Sequence, residues 1–140
     1  MSLFDIFDVS GSALSAQSTR LNTVASNLAN AEVASNSPDT VYRARQPVFA
    51  ALLRDSALGS EPGSRGVRVA GITESVLPPR VEHLPGHPLA DDNGYVYFPA
   101  VNTVEEMANM MSASRSYQNN VEMLSTIKQL MLRTLQLGQR

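Results

Sequence analysis

The sequence predicts a mainly α fold: long N- and C-terminal helices paired as a coiled coil, with a small irregular β insertion between them. Three observations predict it. From Thr103 to Leu137 no Gly or Pro interrupts the chain, and Met110, Tyr117, Leu124 and Met131 recur every seven residues. Near the other end Phe7, Leu14, Leu21 and Leu28 repeat at the same spacing. Between these ends the chain is rich in Gly and Pro and holds only short extended stretches. An apolar row on one face of a long helix requires a partner of similar length, and two matching seven-residue repeats supply one another. Residues 1–34 with 103–140 are therefore expected to form one discontinuous helical unit, and residues 35–102 an extended or β middle region.

The C-terminal helix opens on Thr103-Val104-Glu105-Glu106. This is a capping-box pattern, in which the Thr103 hydroxyl and the Glu106 carboxylate satisfy each other's free backbone N–H groups. Val121, Ile127, Leu130 and Leu135 widen the apolar row. At 1.5 Å per residue the helix is roughly 50 Å long.

The N-terminal helix lies within residues 3–33, with Val24, Ala25 and Ala31 beside the Leu row. Gly11 weakens its start and suggests a break, after which Ser10 or Ser12 would act as the cap. Its polar side is unusual. Between Val9 and Ala31 the only charged residue is Arg20, and the remainder is Ser, Thr, Gln, Asn and Ala, including Asn27 and Asn30. Helices that face bulk water normally interleave charges. Two readings are open: a Ser/Asn-rich surface helix, or a helix covered on all sides by neighbouring subunits.

In the middle, residues 34–40 are turn chemistry that ends the first helix. Residues 41–49 look extended, with Pro47 marking an edge strand or bulge. Residues 50–58 suit a short helix or a continuation of that strand, and 59–66 read as a flexible loop. Strands are expected over 66–76 and 94–98, with a short extended piece at 81–84 and a loop between it and Asn93.

Composition narrows the function classes. A net charge of −2 without a basic stripe argues against nucleic acid and against a polybasic membrane contact. No run reaches the length of a membrane span, so no membrane insertion is expected. With no cysteine, disulfides, thiolate metal sites and cysteine nucleophiles are excluded. No cleaved secretory signal is visible, since the first eight residues hold two acids and no base. His83 and His87 have a zinc-like spacing, but Pro85, Gly86 and Pro88 preclude the helix it needs. Asp91-Asp92-Asn93-Gly94 resembles part of a calcium loop, yet the flanking ligand positions would be Leu89 and Ala100, so a turn is the better account. No phosphate loop or nucleophile elbow is present. No catalytic, cofactor-binding or metal residue is expected, and the chain does not read as an enzyme.

Several multi-residue words carry more. Ser12-Ala13-Leu14-Ser15-Ala16-Gln17, Arg20-Leu21 and Ala25-Ser26-Asn27-Leu28-Ala29-Asn30-Ala31 closely resemble the N-terminal signature of the bacterial flagellar rod and hook proteins. Tyr42-Arg43-Ala44 is similar to the extended motif that follows it. Asn93-Gly94-Tyr95-Val96, Pro99-Ala100-Val101-Asn102, Glu106-Met107 and the run Met111 to Asn120 resemble the C-terminal signature. The short middle and Pro88-Leu89-Ala90-Asp91 point to the proximal-rod members. The resemblance implies a structural subunit with its terminal helices in the inner layer of a hollow axial tube and its middle segment outward. It implies other copies of the chain as partners, with the rod proteins FlgB, FlgF and FlgG, the rod-base adaptor FliE, and the flagellar type III export apparatus. The residues expected to carry helix–helix and subunit packing are Phe7, Leu14, Leu21, Leu28, Asn27, Asn30, Met110, Tyr117, Leu124, Ile127 and Met131. The competing readings are another axial protein of distal-rod or hook type, and a cytoplasmic coiled-coil adaptor.

Overall fold

The computed structural model describes residues 3–53 and 64–138. Two long helices enclose a small β region. In chain order these are α1 (Leu3–Asn30), β1 (Arg45–Leu53), β2 (Ser64–Glu74), β3 (Arg80–His83), β4 (Tyr95–Phe98) and α2 (Thr103–Gly138). The strands form two separate antiparallel pairs, β1 with β2 and β3 with β4. Of the loop expected at 59–66, residues 59–63 lie outside the described residues and 64–66 belong to β2; of residues 50–58, the described part, 50–53, continues β1.

α1 is continuous through Gly11, where the sequence suggested a break, and Ser10 and Ser12 lie inside it instead of capping it. The hydroxyls on this helix bond locally. Ser12 Oγ donates to Val9 O at 2.8 Å, Thr19 Oγ1 to Ser15 O at 3.1 Å and Thr23 Oγ1 to Thr19 O at 2.8 Å. Asn30 Nδ2 likewise donates to Ser26 O at 2.8 Å. Polar groups satisfied within their own helix can be covered without the desolvation penalty of an unpaired donor. This is how so polar a sequence forms a helix with a buried side.

The capping box does not form. Asn102, one residue earlier, is the cap: its Oδ1 accepts from Val104 N at 3.1 Å and Glu105 N at 3.3 Å. Its backbone oxygen accepts from Glu106 N at 3.0 Å. Thr103 is already the first helical residue, and the Glu106 carboxylate turns away to another partner.

α1 packs along α2 and against the β1–β2 hairpin. The helices run antiparallel: Asn27, late in α1, bonds Glu106 early in α2, while the earlier Arg20 bonds the later Asn109. The hairpin is irregular beside Pro47, with a register shift between Val48 and Phe49, as expected where a residue lacks a ladder donor. β2 approaches α1 so closely that Ser12 Oγ accepts from Val67 N at 3.1 Å. A Cβ on Gly66 would lie 2.2 Å from that oxygen, and Gly66 sits at φ +140.

The β3–β4 hairpin is held by one carboxylate. Asp91 Oδ1 accepts from Tyr95 N at 2.8 Å and Asn93 N at 2.9 Å, and Oδ2 from Tyr97 OH at 3.1 Å. These donors, the Tyr95 N–H foremost, hold the Asp91 carboxyl below its ordinary value. The bond that the Tyr97 hydroxyl donates to Asp91 raises the Tyr97 phenol. Ser35 pairs with Tyr97 through both backbone groups, Ser35 N to Tyr97 O at 2.8 Å and the reverse at 3.0 Å. The segment after α1 is thereby tied to β4.

Candidate functional site

The two ends of the chain meet at a buried polar junction. Asn27 is 1% exposed. Its Nδ2 donates to Glu106 Oε2 at 2.9 Å and to Arg45 O at 2.8 Å. Its Oδ1 accepts from Tyr42 OH at 2.8 Å and Arg45 N at 2.9 Å. A carboxamide offers two donors and one oxygen with two lone pairs, so every hydrogen-bonding position of Asn27 is filled. The side chain meets Arg45 as a neighbouring strand would, donating to its carbonyl and accepting from its N–H. The network continues outward: Asn109 Nδ2 reaches Glu106 Oε1 at 3.4 Å, Arg20 Nη2 reaches Asn109 Oδ1 at 3.3 Å, and the Tyr42 hydroxyl lies 3.2 Å from Ser26 Oγ. One side chain on α1 therefore fixes α2 and the entry to β1 together.

A saturated side chain of this kind positions elements. The open cleft beside it, bounded by Arg20, Arg45, Phe49 and Glu105 among others, holds charge of both signs. Among the described residues no three His, Cys, Asp or Glu side chains converge as metal ligands. His87 Nδ1 accepts from Leu89 N at 3.1 Å, and the His83 ring packs at 5.1 Å from that of Tyr95. Both histidines thus have local structural contacts.

The structure spreads the residues expected for packing over different depths. On α2 Ile127 is buried, Met110, Leu124 and Met131 are half-buried, and Tyr117 is 38% exposed. On α1 Asn27 is buried, Leu14, Leu21, Leu28 and Asn30 are half-buried, and Phe7 is 45% exposed. The Leu row thus lies at the margin of the buried side of α1. The centre of that side is made by Ala16, Thr23, Val24, Asn27 and Ala31. Opposite, Glu106, Ala113 and Ile127 are the buried positions of α2. Ala16 and Ala113 are small as well as buried. Nothing in the sequence singled out Thr23 or Arg45, and Ala16 and Ala113 stood only within quoted motifs. Glu106 and Tyr42 stood within quoted motifs, with no sign that they met.

The opposite side of α1 is exposed and small. Gly11, Ser15, Ser18, Asn22, Ala25 and Ala29 alternate in steps of four and three, all open to solvent in the single chain and none charged. On α2, Val104, Met107, Met111, Leu132, Leu135 and Leu137 are exposed, the last two at 65% and 76%. No helix among the described residues is long and apolar enough to cross a membrane.

Comparison with known proteins matches both ends of the chain to one family. Residues 7–34 match the family model described as flagella basal body rod protein, and residues 92–137 the one described as flagellar basal body rod FlgEFG protein C-terminal. The chain is 54% identical over 139 residues to the flagellar basal-body rod protein FlgC of Salmonella typhimurium, covering 99% of this chain and 100% of that protein. It is 54% identical over 141 residues to FlgC of Yersinia enterocolitica, at the same coverage. It is 39% identical to FlgC of Buchnera aphidicola from Acyrthosiphon pisum, again over 99% and 100%. Together with the paired terminal helices and the two signatures, this identity along the whole length shows that the chain belongs to the flagellar basal-body rod protein family and is a structural rod subunit.

Proposed function

We propose that this chain is a subunit of the proximal rod, which polymerises into the hollow drive shaft crossing the periplasm and transmits motor torque. α1 and α2 act in it as a coiled-coil pair, and residues 1–34 with 103–140 form the unit that packs inward. The middle region, residues 35–102, faces outward. The observation that carries this reading is the exposed small face of α1, Gly11 to Ala29 in four-three steps without a charge. A single chain gains nothing from so uncharged a face, whereas a neighbouring helix can approach it closely and bury it. The exposed Leu residues at the end of α2 supply apolar area to the same packing. A head-to-tail contact that does not close on itself yields a helical stack.

The partners are other copies of the chain, the rod proteins FlgB, FlgF and FlgG, and the rod-base adaptor FliE. The subunit leaves the cytoplasm through the flagellar type III export apparatus without a cleaved signal. These assignments are supported by the FlgC relatives, whose whole length this chain matches. The family model over residues 92–137 is described by FlgE, FlgF and FlgG, which favours a second reading as a distal-rod or hook subunit.

Ala25→Glu tests the assembly face. Ala25 is exposed in the single chain, so its replacement changes folding stability by less than about 0.5 kcal/mol. In cells the variant is expected to be exported but absent from purified basal bodies, with motility lost. Basal bodies containing normal amounts of the variant would refute the face assignment.

A further inference from the structure

We infer that Asn27 selects the register of α1 on α2, holding one alignment among several that the apolar side chains would accept. The apolar positions are degenerate in register. The buried Val24 and Ala31 with the half-buried Leu14, Leu21 and Leu28 on α1, and the buried Ala113 and Ile127 with the half-buried Met110, Leu124 and Met131 on α2, recur at multiples of seven residues. Sliding one helix by seven residues moves it about 10 Å and sets apolar rows against apolar rows again. The small buried side chains Ala16 and Ala113 offer little shape to oppose such a slide.

The polar groups are not degenerate. Asn27 meets Glu106 in the observed alignment. A slide of seven in one direction places Asn27 opposite Ala113, and in the other opposite Pro99, ahead of the helix. Either slide strands a carboxamide and a carboxylate that are both buried. An unpaired buried polar group is penalised far more than a paired one is rewarded. A single buried Asn between helices is accordingly an effective register device. Here the device reaches further, because the same carboxamide grips the Arg45 backbone and the Tyr42 hydroxyl. A slid helix would also lose its place on β1. The Asn30 side chain, one turn on, donates to Ser26 O within α1 and makes no bond across to α2 among the described residues.

The test is a distance within one chain, so its failure would leave the rod assignment standing. The absence of cysteine makes site-specific labelling clean. Spin labels at Asn22→Cys and Gln118→Cys, both exposed, report the slide by pulsed electron resonance on the full chain. The parent is expected to give one narrow distance population. Asn27→Leu, which keeps the branched shape without the polar atoms, is expected to add displaced populations amounting to at least a tenth of the molecules. Asn30→Leu is expected to keep the parent distance. If Asn27→Leu does not fold, Asn27→Leu with Glu106→Leu removes both polar partners, and the same spread is expected. A single parent-like distance in the folded Asn27 variants overturns the inference. So does an equal spread in the parent or in Asn30→Leu.

Discussion

At the scale of single residues, the fold leans on positions where one atom makes several contacts. Asp91 is the clearest. Its carboxylate gathers the N–H groups of Tyr95 and Asn93 and the Tyr97 hydroxyl across one hairpin. Its folded pKa is lowered, so its contribution is fully present above the unfolded value and is lost as pH falls through the folded one. The β3–β4 hairpin is therefore expected to loosen only in acid, below the ordinary Asp range. In Asp91→Asn that acid-dependent loosening should vanish. Amide exchange at Tyr95 and Tyr97 against pH checks both. Gly66 is a second such position, because its φ of +140 and the 2.2 Å approach to Ser12 Oγ leave no room for a methyl group. Gly66→Ala is expected to destabilise by about 1–3 kcal/mol. It should shift the denaturant midpoint without changing helix content. An unshifted midpoint would mean that β2 does not press on α1 as described.

At the scale of elements, the start of α2 shows why sequence patterns fix an element better than its details. Thr103-Val104-Glu105-Glu106 satisfies the capping-box pattern, yet Asn102 is an equally competent cap one residue earlier, and it wins. The reason is tertiary: Glu106 would be needed to close the box, and its carboxylate is held by Asn27, 79 positions away in sequence. Asn102→Ala should therefore cost about 1 kcal/mol and Thr103→Ala much less. Paired thermal unfolding curves decide it, and a larger loss at Thr103 would restore the capping box. The helices themselves, the bulge beside Pro47 and the strand at Tyr95–Phe98 were legible, because periodicity, proline and glycine act locally. The buried side of α1 was not. A seven-residue repeat states a period but not a phase: Ser10, Val24 and Ala31 fit the same spacing as Leu14, Leu21 and Leu28. Which row turns inward is decided by packing across the helix pair and by where Asn27 finds its partners. None of that is written in the spacing. The interaction of Asn27 with Tyr42 and Arg45 was equally hidden, since it joins a helix face to a loop through side-chain geometry.

At the scale of the whole molecule, α1 and α2 are locked at one buried junction, the β1–β2 hairpin packs on α1, and the small face of α1 stays open. The lock uses the side of α1 that faces α2, and the small uncharged row from Gly11 to Ala29 lies on the other. Exposed ion pairs such as Arg45–Glu74 and Arg80–Glu82, each at 3.1 Å, decorate the middle region and contribute little to stability. A rod that transmits torque needs rigid, densely packed helices inside and a polar exterior. The uncharged small face of α1 and the ion-paired middle region suit that demand. Single-cysteine variants probe it directly, since the sequence has no cysteine of its own. Ser18→Cys sits on the small face of α1, and Val76→Cys on the middle region, where Val76 is 89% exposed. Both should react readily with a maleimide in the isolated chain. In purified basal bodies Ser18→Cys should react at least tenfold more slowly while Val76→Cys stays reactive; equal reactivity of Ser18→Cys in the two states would contradict the account.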